Sequence, residues 1–240
     1  MDKLIKFFIY DFPMAFFRNW GSILFAFILF FGTGITVFAV VCANPTYAKH
    51  ILSREMIEMM NDAYKEDPKR DIYSNIMMAG FYIRNNISIA FSSFALGVTF
   101  GIGTAVIVAF NAVNIGAVAA MVVSSGHGRN FFNFVIAHSS FELLGLCLAA
   151  GAGIAVGYSM ITAKEEKKSV VFSRKAREVV PVILVSAIFI FIAAFVEGFV
   201  SPSGLPLIFK ITIAIFSCLF IILYSYRILF VKFYKGVFRK

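Results

Sequence analysis

Apolar residues in this chain fall into blocks of bilayer-crossing length, separated by short charged or broken stretches. About twenty apolar residues in a row suffice for a transmembrane helix. Residues 23–41 form the first block and residues 87–110 the second, entered through Asn85 and Asn86. Asn111 and Ala112 break that run. The apolar piece 113–123 that follows is barely long enough to cross, which predicts a short tilted span or a re-entrant hairpin. A central block covers residues 131–161, a fifth covers 179–199 and a last one 207–230. The pattern predicts an all-α, polytopic transmembrane helical bundle of about six spans, one of them short or re-entrant. It reads as a single membrane domain over residues 1–240, with the core bundle at 80–231.

Two segments depart from this pattern. Residues 1–20 set Lys3, Lys6, Asp11 and Arg18 against Ile5, Phe7, Phe8, Phe16 and Phe17. They read as an interfacial helix interrupted near Pro13, with Trp20 at headgroup level. Residues 44–79 are the one sizeable polar stretch. After Pro45, the residues Leu52, Met56, Met59, Met60 and Ala63 recur at helical spacing, with Glu55, Glu58, Asp62 and Lys65 between them. This predicts a small amphipathic extracytoplasmic helical segment, whose Met-rich face suits capping the bundle or docking a partner.

The central block carries the most informative residues. His138 and Glu142 are four apart, so on a helix they project from one face. A carboxylate in hydrocarbon costs at least ~2.5 kcal/mol, so it needs a partner, a proton or water. Further along, Ala149, Ala150, Gly151, Ala152, Gly153 and Gly157 leave no side chain to hold other helices away, and Gly97, Gly101 and Gly103 give the second block a similar stripe. These glycines predict helix packing. They lack the strand-then-helix context of a phosphate-binding loop.

Lysine and arginine counts in short loops set orientation. The basic loop 164–177 and the tail, with Lys232, Lys235, Arg239 and Lys240, belong in the cytoplasm, and the turn 201–206 outside. Lys210 and Arg227, near the two ends of the last block, are expected to snorkel to the headgroups. Six crossings then place both termini inside, with segments 44–79 and 124–130 outside; if 113–123 does not cross, the N-terminus and segment 44–79 exchange sides. Asn85 and Asn86, His138 and Glu142, and Glu197 all fall in the outer half of the bundle. They are predicted to form one intramembrane polar cluster.

Composition agrees. The chain is 60% hydrophobic and 15% charged over 240 residues, with a mean hydropathy of +0.86, far too apolar for a soluble domain of this length. Its net charge of +9 sits mostly in connecting segments and tails. Anionic membrane lipid is therefore the expected partner, and nucleic acid is not. The small residues at Val41, Cys42 and Ala43 resemble a signal-peptidase site, but the preceding run is long for a signal peptide, and an uncleaved anchor is expected. Cys42, Cys147 and Cys218 have no CxxC spacing and are expected to be free thiols.

Three chemistries are open to the polar cluster. It can lock helices through hydrogen bonds at about 0.6 kcal/mol each. It can line a path for a proton, ion or headgroup, as intramembrane ionisable residues commonly do. Or His138, Glu142 and Glu197 can offer three ligands to a metal. HxxxE is not HExxH, no second histidine lies in a span, and no serine or cysteine has an obvious base in its own motif. A non-enzymatic role without a cofactor is therefore expected. His50 and His127 lie in loops and read as solvated.

The sequence also resembles a family. The run Phe81-Tyr82-Ile83-Arg84-Asn85-Asn86, the Gly97, Gly101 and Gly103 stripe, Asn111 with Gly116 at a helix turn, His138 with Glu142, Gly151-Ala152-Gly153 and Glu197-Gly198-Phe199-Val200-Ser201-Pro202 together are similar to the stage II sporulation protein M family. The resemblance runs from about Tyr10 into the last block. Two positions depart from the family's usual pattern. Ala112 stands where glycine is usual, and Ala137 and Ser139 flank His138 where proline and glycine are usual. The second change is expected to straighten entry into the central helix. The resemblance implies a multi-pass protein of the bacterial cytoplasmic (inner) membrane. It implies a scaffold for cell-envelope (peptidoglycan) remodelling, with an envelope protein as partner and self-association as a further expectation. A small transporter, or a protein handling lipid or ions, is the alternative, and a metal-dependent intramembrane enzyme a third.

Overall fold

The computed structural model describes residues 3–65, 71–220 and 223. The alternation of charge and phenylalanine at the start gives α1 (Lys3–Lys6), a π-helical turn (Phe7–Asp11) and α2 (Phe12–Arg18). Pro13 lies in the first turn of α2, directly after the π-helical turn, so the helical stretch continues past it although proline supplies no N–H to the turn before. Next come α3 (Trp20–Ala43), α4 (Ala48–Ile51), α5 (Arg54–Lys65), α6 (Ile72–Ala95), α7 (Ile102–Ser124), α8 (Gly128–Val135), α9 (Ser139–Thr162) and α10 (Lys168–Phe195). A π-helical turn (Val196–Val200) extends α10, and α11 (Leu207–Phe220) follows. There is no strand among the described residues. Four helices there are long and apolar enough to cross a membrane: α3, α7, α9 and the helix Lys168–Val200.

The axis is α9. Its most apolar stretch is 72% buried, against 17% for that of α3, so α9 is enclosed by the others. It packs against α10, α3 and α6. Small residues make this possible. A Cβ placed on Gly151 would stand 2.6 Å from the Ile23 Cα, and one on Gly97 or Gly157 would run into the backbone of Gly153 or Gly101, respectively. Gly103 is different, because a Cβ there would meet Thr99 and Leu96 of its own preceding turn. Polar links add to the apolar packing: Ser186 donates to the Gly145 carbonyl at 2.6 Å and Thr104 to that of Ser93 at 2.7 Å.

Several expectations are corrected. The block 87–110 is not one helix. Residues Leu96–Thr99 tighten into a 3-10 turn, and Phe100 and Gly101 follow at φ 59° and 83°, reversing the chain from α6 into α7. Glycine adopts that left-handed backbone freely. The turn also needs small residues, because Gly97 and Gly101 lie directly on Gly153 and Gly157 of α9. Asn111 and Gly116 therefore mark no turn; both lie within α7. The Asn111 side-chain amide donates to the Ile107 carbonyl at 2.8 Å, satisfying it one turn back, so the helix need not break. Gly116 packs on Gly34, whose carbonyl would be 2.5 Å from an added Cβ. The piece 113–123 is accordingly neither short nor re-entrant but part of a 23-residue helix.

The central block is also divided. α8 ends at Val135 and α9 begins at Ser139, so entry is bent at Ala137 and His138 rather than straightened. Conversely, most of the basic segment 164–177 is helical, since α10 starts at Lys168. The polar stretch 44–79 gives α5, but α6 already begins at Ile72. On α5 the docked face is Ile57, Met60 and Tyr64, while Met56, Met59 and Ala63 are exposed. Lys210 does not snorkel: it is only 1% exposed. Arg227 and the basic tail lie outside the described residues. Cys42, Cys147 and Cys218 are free thiols.

The bundle has two distinct ends. At one, the Lys168 ammonium lies 4.8 Å from the centre of the Phe100 ring, and α2 packs Phe12 and Ala15 into the same core cluster as Val179 and Val182 of α10. Asn19, Lys175 and Glu178 tie that end together at 2.8–3.2 Å. At the other, α8 meets α5 through Tyr64 with Phe131 and Phe134, and Asn130 donates to the Tyr64 carbonyl at 2.9 Å.

Candidate functional site

The site lies at this second end and is built by two antiparallel helices. His138 is the residue preceding α9 and Glu142 sits in its first turn. They continue the stripe of Gly145 and Ala149, which pack on Ile190 of α10. Glu197 and Ser201 are four apart at the far end of α10, in line with buried Ile190, Ala193 and Ala194. Side chains lean toward the N-terminus of their own helix. The two helices run in opposite directions, so Glu142 and Glu197 lean toward each other and meet. The π-helical turn, in which the Ser201 N–H reaches back to the Val196 carbonyl at 2.9 Å, positions this last stretch. Such turns are frequent at functional sites.

The geometry is close. One ligand atom each from His138, Glu142 and Glu197 lie within 4.8 Å of one another. His138 Nε2 is 3.6 Å from Glu142 Oε2, and His138 Nδ1 is 2.9 Å from the Ser201 hydroxyl. Lys210 Nζ donates to the Ser201 carbonyl at 2.7 Å, bringing α11 into the same set. His138, Glu197, Ser201 and Lys210 are buried. The Glu142 side chain is the least enclosed of the three, at 23% exposure.

Of the residues expected in the cluster, the structure brings together His138, Glu142 and Glu197. Asn85 is exposed on α6 and donates to Asn86 at 2.9 Å. Asn86 is half-buried and lies at helical spacing from Ala79, Ala90 and Ser93 on the face of α6 turned inward. Sequence reasoning missed Ser201 and Lys210. The spacing of Ser201 four residues after Glu197 was the signal for the first. Lys210 gave none, since a lysine near a span end reads equally well as solvated.

Chemically, the order Ser201–His138–Glu142 is that of a nucleophile, a base and an orienting acid. The Ser201 residue is only 2% exposed, however, so no substrate reaches its hydroxyl in this arrangement. The same arrangement holds three helix ends together and sets out three donor atoms of the kind that bind a cation.

A family model described as stage II sporulation protein M matches residues 21–202. An uncharacterized protein of Methanocaldococcus jannaschii is 25% identical over 122 residues, covering 50% of this chain and 68% of that one. No solved structure matches.

Proposed function

This chain belongs to the stage II sporulation protein M family of membrane proteins, and on that premise we propose that it is a membrane scaffold for enzymes that remodel the cell envelope. The observation that carries the reading is the combination of a close-packed core with a docked outer helix. Backbone meets backbone where Gly97 and Gly101 face Gly153 and Gly157, which favours one fixed arrangement over the alternating packings a transporter needs. On that rigid block α5 is held by Ile57, Met60 and Tyr64, and it turns Glu55, Met56, Glu58, Met59 and Asp62 outward. Exposed methionines among acidic residues make an adaptable docking face.

In this reading the protein lies in the bacterial cytoplasmic membrane. The end carrying Lys3, Lys6, Arg18, Lys164, Lys167, Lys168, Arg174, Lys175 and Arg177 faces the cytoplasm. Six crossings are made by α3, α6, α7, α9, α10 and the helix that begins at Leu207, with both termini inside. α5 and the polar cluster then face the outer side.

Photo-crosslinking in living cells tests this. A crosslinking residue at Met59 is expected to capture a peptidoglycan-modifying protein, and one at Ile57, on the docked face, is expected not to. Equal capture from both positions, or none from Met59, would refute the scaffold reading.

A further inference from the structure

The geometry points to a second property, independent of the scaffold role: His138, Glu142 and Glu197 form a binding site for one divalent transition-metal ion, with Ser201 as its outer-shell support.

Four observations carry it. The three donor atoms come from opposite ends of the sequence of the α9–α10 hairpin, the start of α9 and the far end of α10, yet fall within 4.8 Å of one another. Zinc binds nitrogen and carboxylate oxygen at about 2.0–2.2 Å, which sets neighbouring ligands of a tetrahedral site about 3.4 Å apart. The 3.6 Å between His138 Nε2 and Glu142 Oε2 is near that spacing, and it is long for a direct N–H···O bond. The other imidazole nitrogen, Nδ1, is held at 2.9 Å by the Ser201 hydroxyl. Metal-ligating histidines characteristically use their second nitrogen in this way, which fixes ring orientation and leaves the first free for the ion. Lys210 in turn anchors the Ser201 carbonyl, so the support is itself supported.

Access and ligand type complete the argument. Glu142 is the partly exposed member, so an ion would have to reach the site past its carboxylate. One imidazole and two carboxylates suit zinc, manganese or ferrous iron better than the softer ions that thiolates select. Three protein ligands leave a coordination position for water or a further group. The Lys210 ammonium adds positive charge nearby, so affinity should fall below that of a structural zinc site.

The test uses the full chain, purified in detergent and stripped with a chelator. Zn²⁺ titrated into it should bind at one ion per chain, and Co²⁺ should give the intense visible bands of a low-coordinate nitrogen–oxygen site, abolished by added Zn²⁺. His138→Ala and Glu197→Gln should each weaken Zn²⁺ binding at least tenfold, while a His50→Ala/His127→Ala double variant binds as the wild type does. Absence of stoichiometric Zn²⁺ binding, or loss of binding only in the double variant, would overturn the site. If the cluster variants do not fold, the cobalt spectrum of the double variant decides: low-coordinate bands support the site, and the spectrum of the aqueous ion overturns it. The crosslinking result from Met59 is unaffected by either outcome.

Discussion

The imidazole of His138 and the hydroxyl of Ser201, 63 residues apart in the chain, lie 2.9 Å from each other inside the helical bundle. This contact fastens the start of α9 to the end of α10, and Lys210 extends it to α11 through the Ser201 carbonyl. Three helix ends are thus joined at one polar point within an otherwise apolar packing.

Removing the hydroxyl should therefore be felt. Ser201→Ala leaves a buried imidazole nitrogen without its partner, at a cost of about 1–3 kcal/mol. Thermal unfolding in detergent should show a lower Tm, and Ser201→Thr, which keeps the hydroxyl, should recover most of it.

Lys210 offers a sharper contrast, because two placements of the same residue make opposite predictions. A lysine that reached the headgroups would tolerate Lys210→Met with little change. The buried lysine found here donates a charged hydrogen bond, so the substitution should cost about 1.5–3 kcal/mol. A Tm matching the wild type would count against the burial.

Close packing can be tested at a single atom. A Cβ on Gly157 would collide with the backbone of Gly101 and Phe100, and backbone cannot swing aside as a side-chain tip can. Gly157→Ala should destabilise by about 1–3 kcal/mol, as overpacking usually does. Gly32→Ala on the open face of α3 meets nothing within 4 Å and should be neutral to slightly stabilising. Denaturant unfolding of the two variants side by side checks the difference.

Asp71 gives a dependence on pH. It caps α6 by accepting from the Ser74 N–H at 2.8 Å. The Ser74 hydroxyl first, and then the Ser74 N–H, hold its carboxyl below the usual aspartate value. A group whose value is lowered on folding contributes above its unfolded value and loses that contribution as pH falls through the folded one. Hydrogen exchange in the first turn of α6, corrected for intrinsic rate, should therefore accelerate below the ordinary aspartate range. Asp71→Asn, which caps without ionising, should give a flat profile.

The helices and the polar residues were legible along the chain to different extents. The spans at 23–41 and 179–199, and the part of 131–161 beyond Ser139, stand out because an apolar run of that length has few alternatives. α3, α10 and α9 respectively cover most of them, whereas the break between α8 and α9 leaves no mark in hydropathy. The pairing of His138 with Glu142 follows from their spacing, and the opposite leanings of Glu142 and Glu197 follow from helix direction. The turn was misplaced because asparagine is a common breaker, whereas Asn111 finds its bond within the helix, on Ile107. The true reversal at Phe100 and Gly101 lies inside an unbroken apolar run, where hydropathy gives no sign of it.

The chain's own pattern therefore determines that this is an all-α membrane protein, where most of its helices lie and which ionisable groups must be accounted for, since the cost of apolar surface in water and of charge in lipid depends on residue type alone. Tertiary structure decides the reversal between α6 and α7, the inward placement of Lys210 and the role of Ser201. Those depend on which backbones can approach and which carbonyl lies within reach, and neither is fixed until the helices have packed.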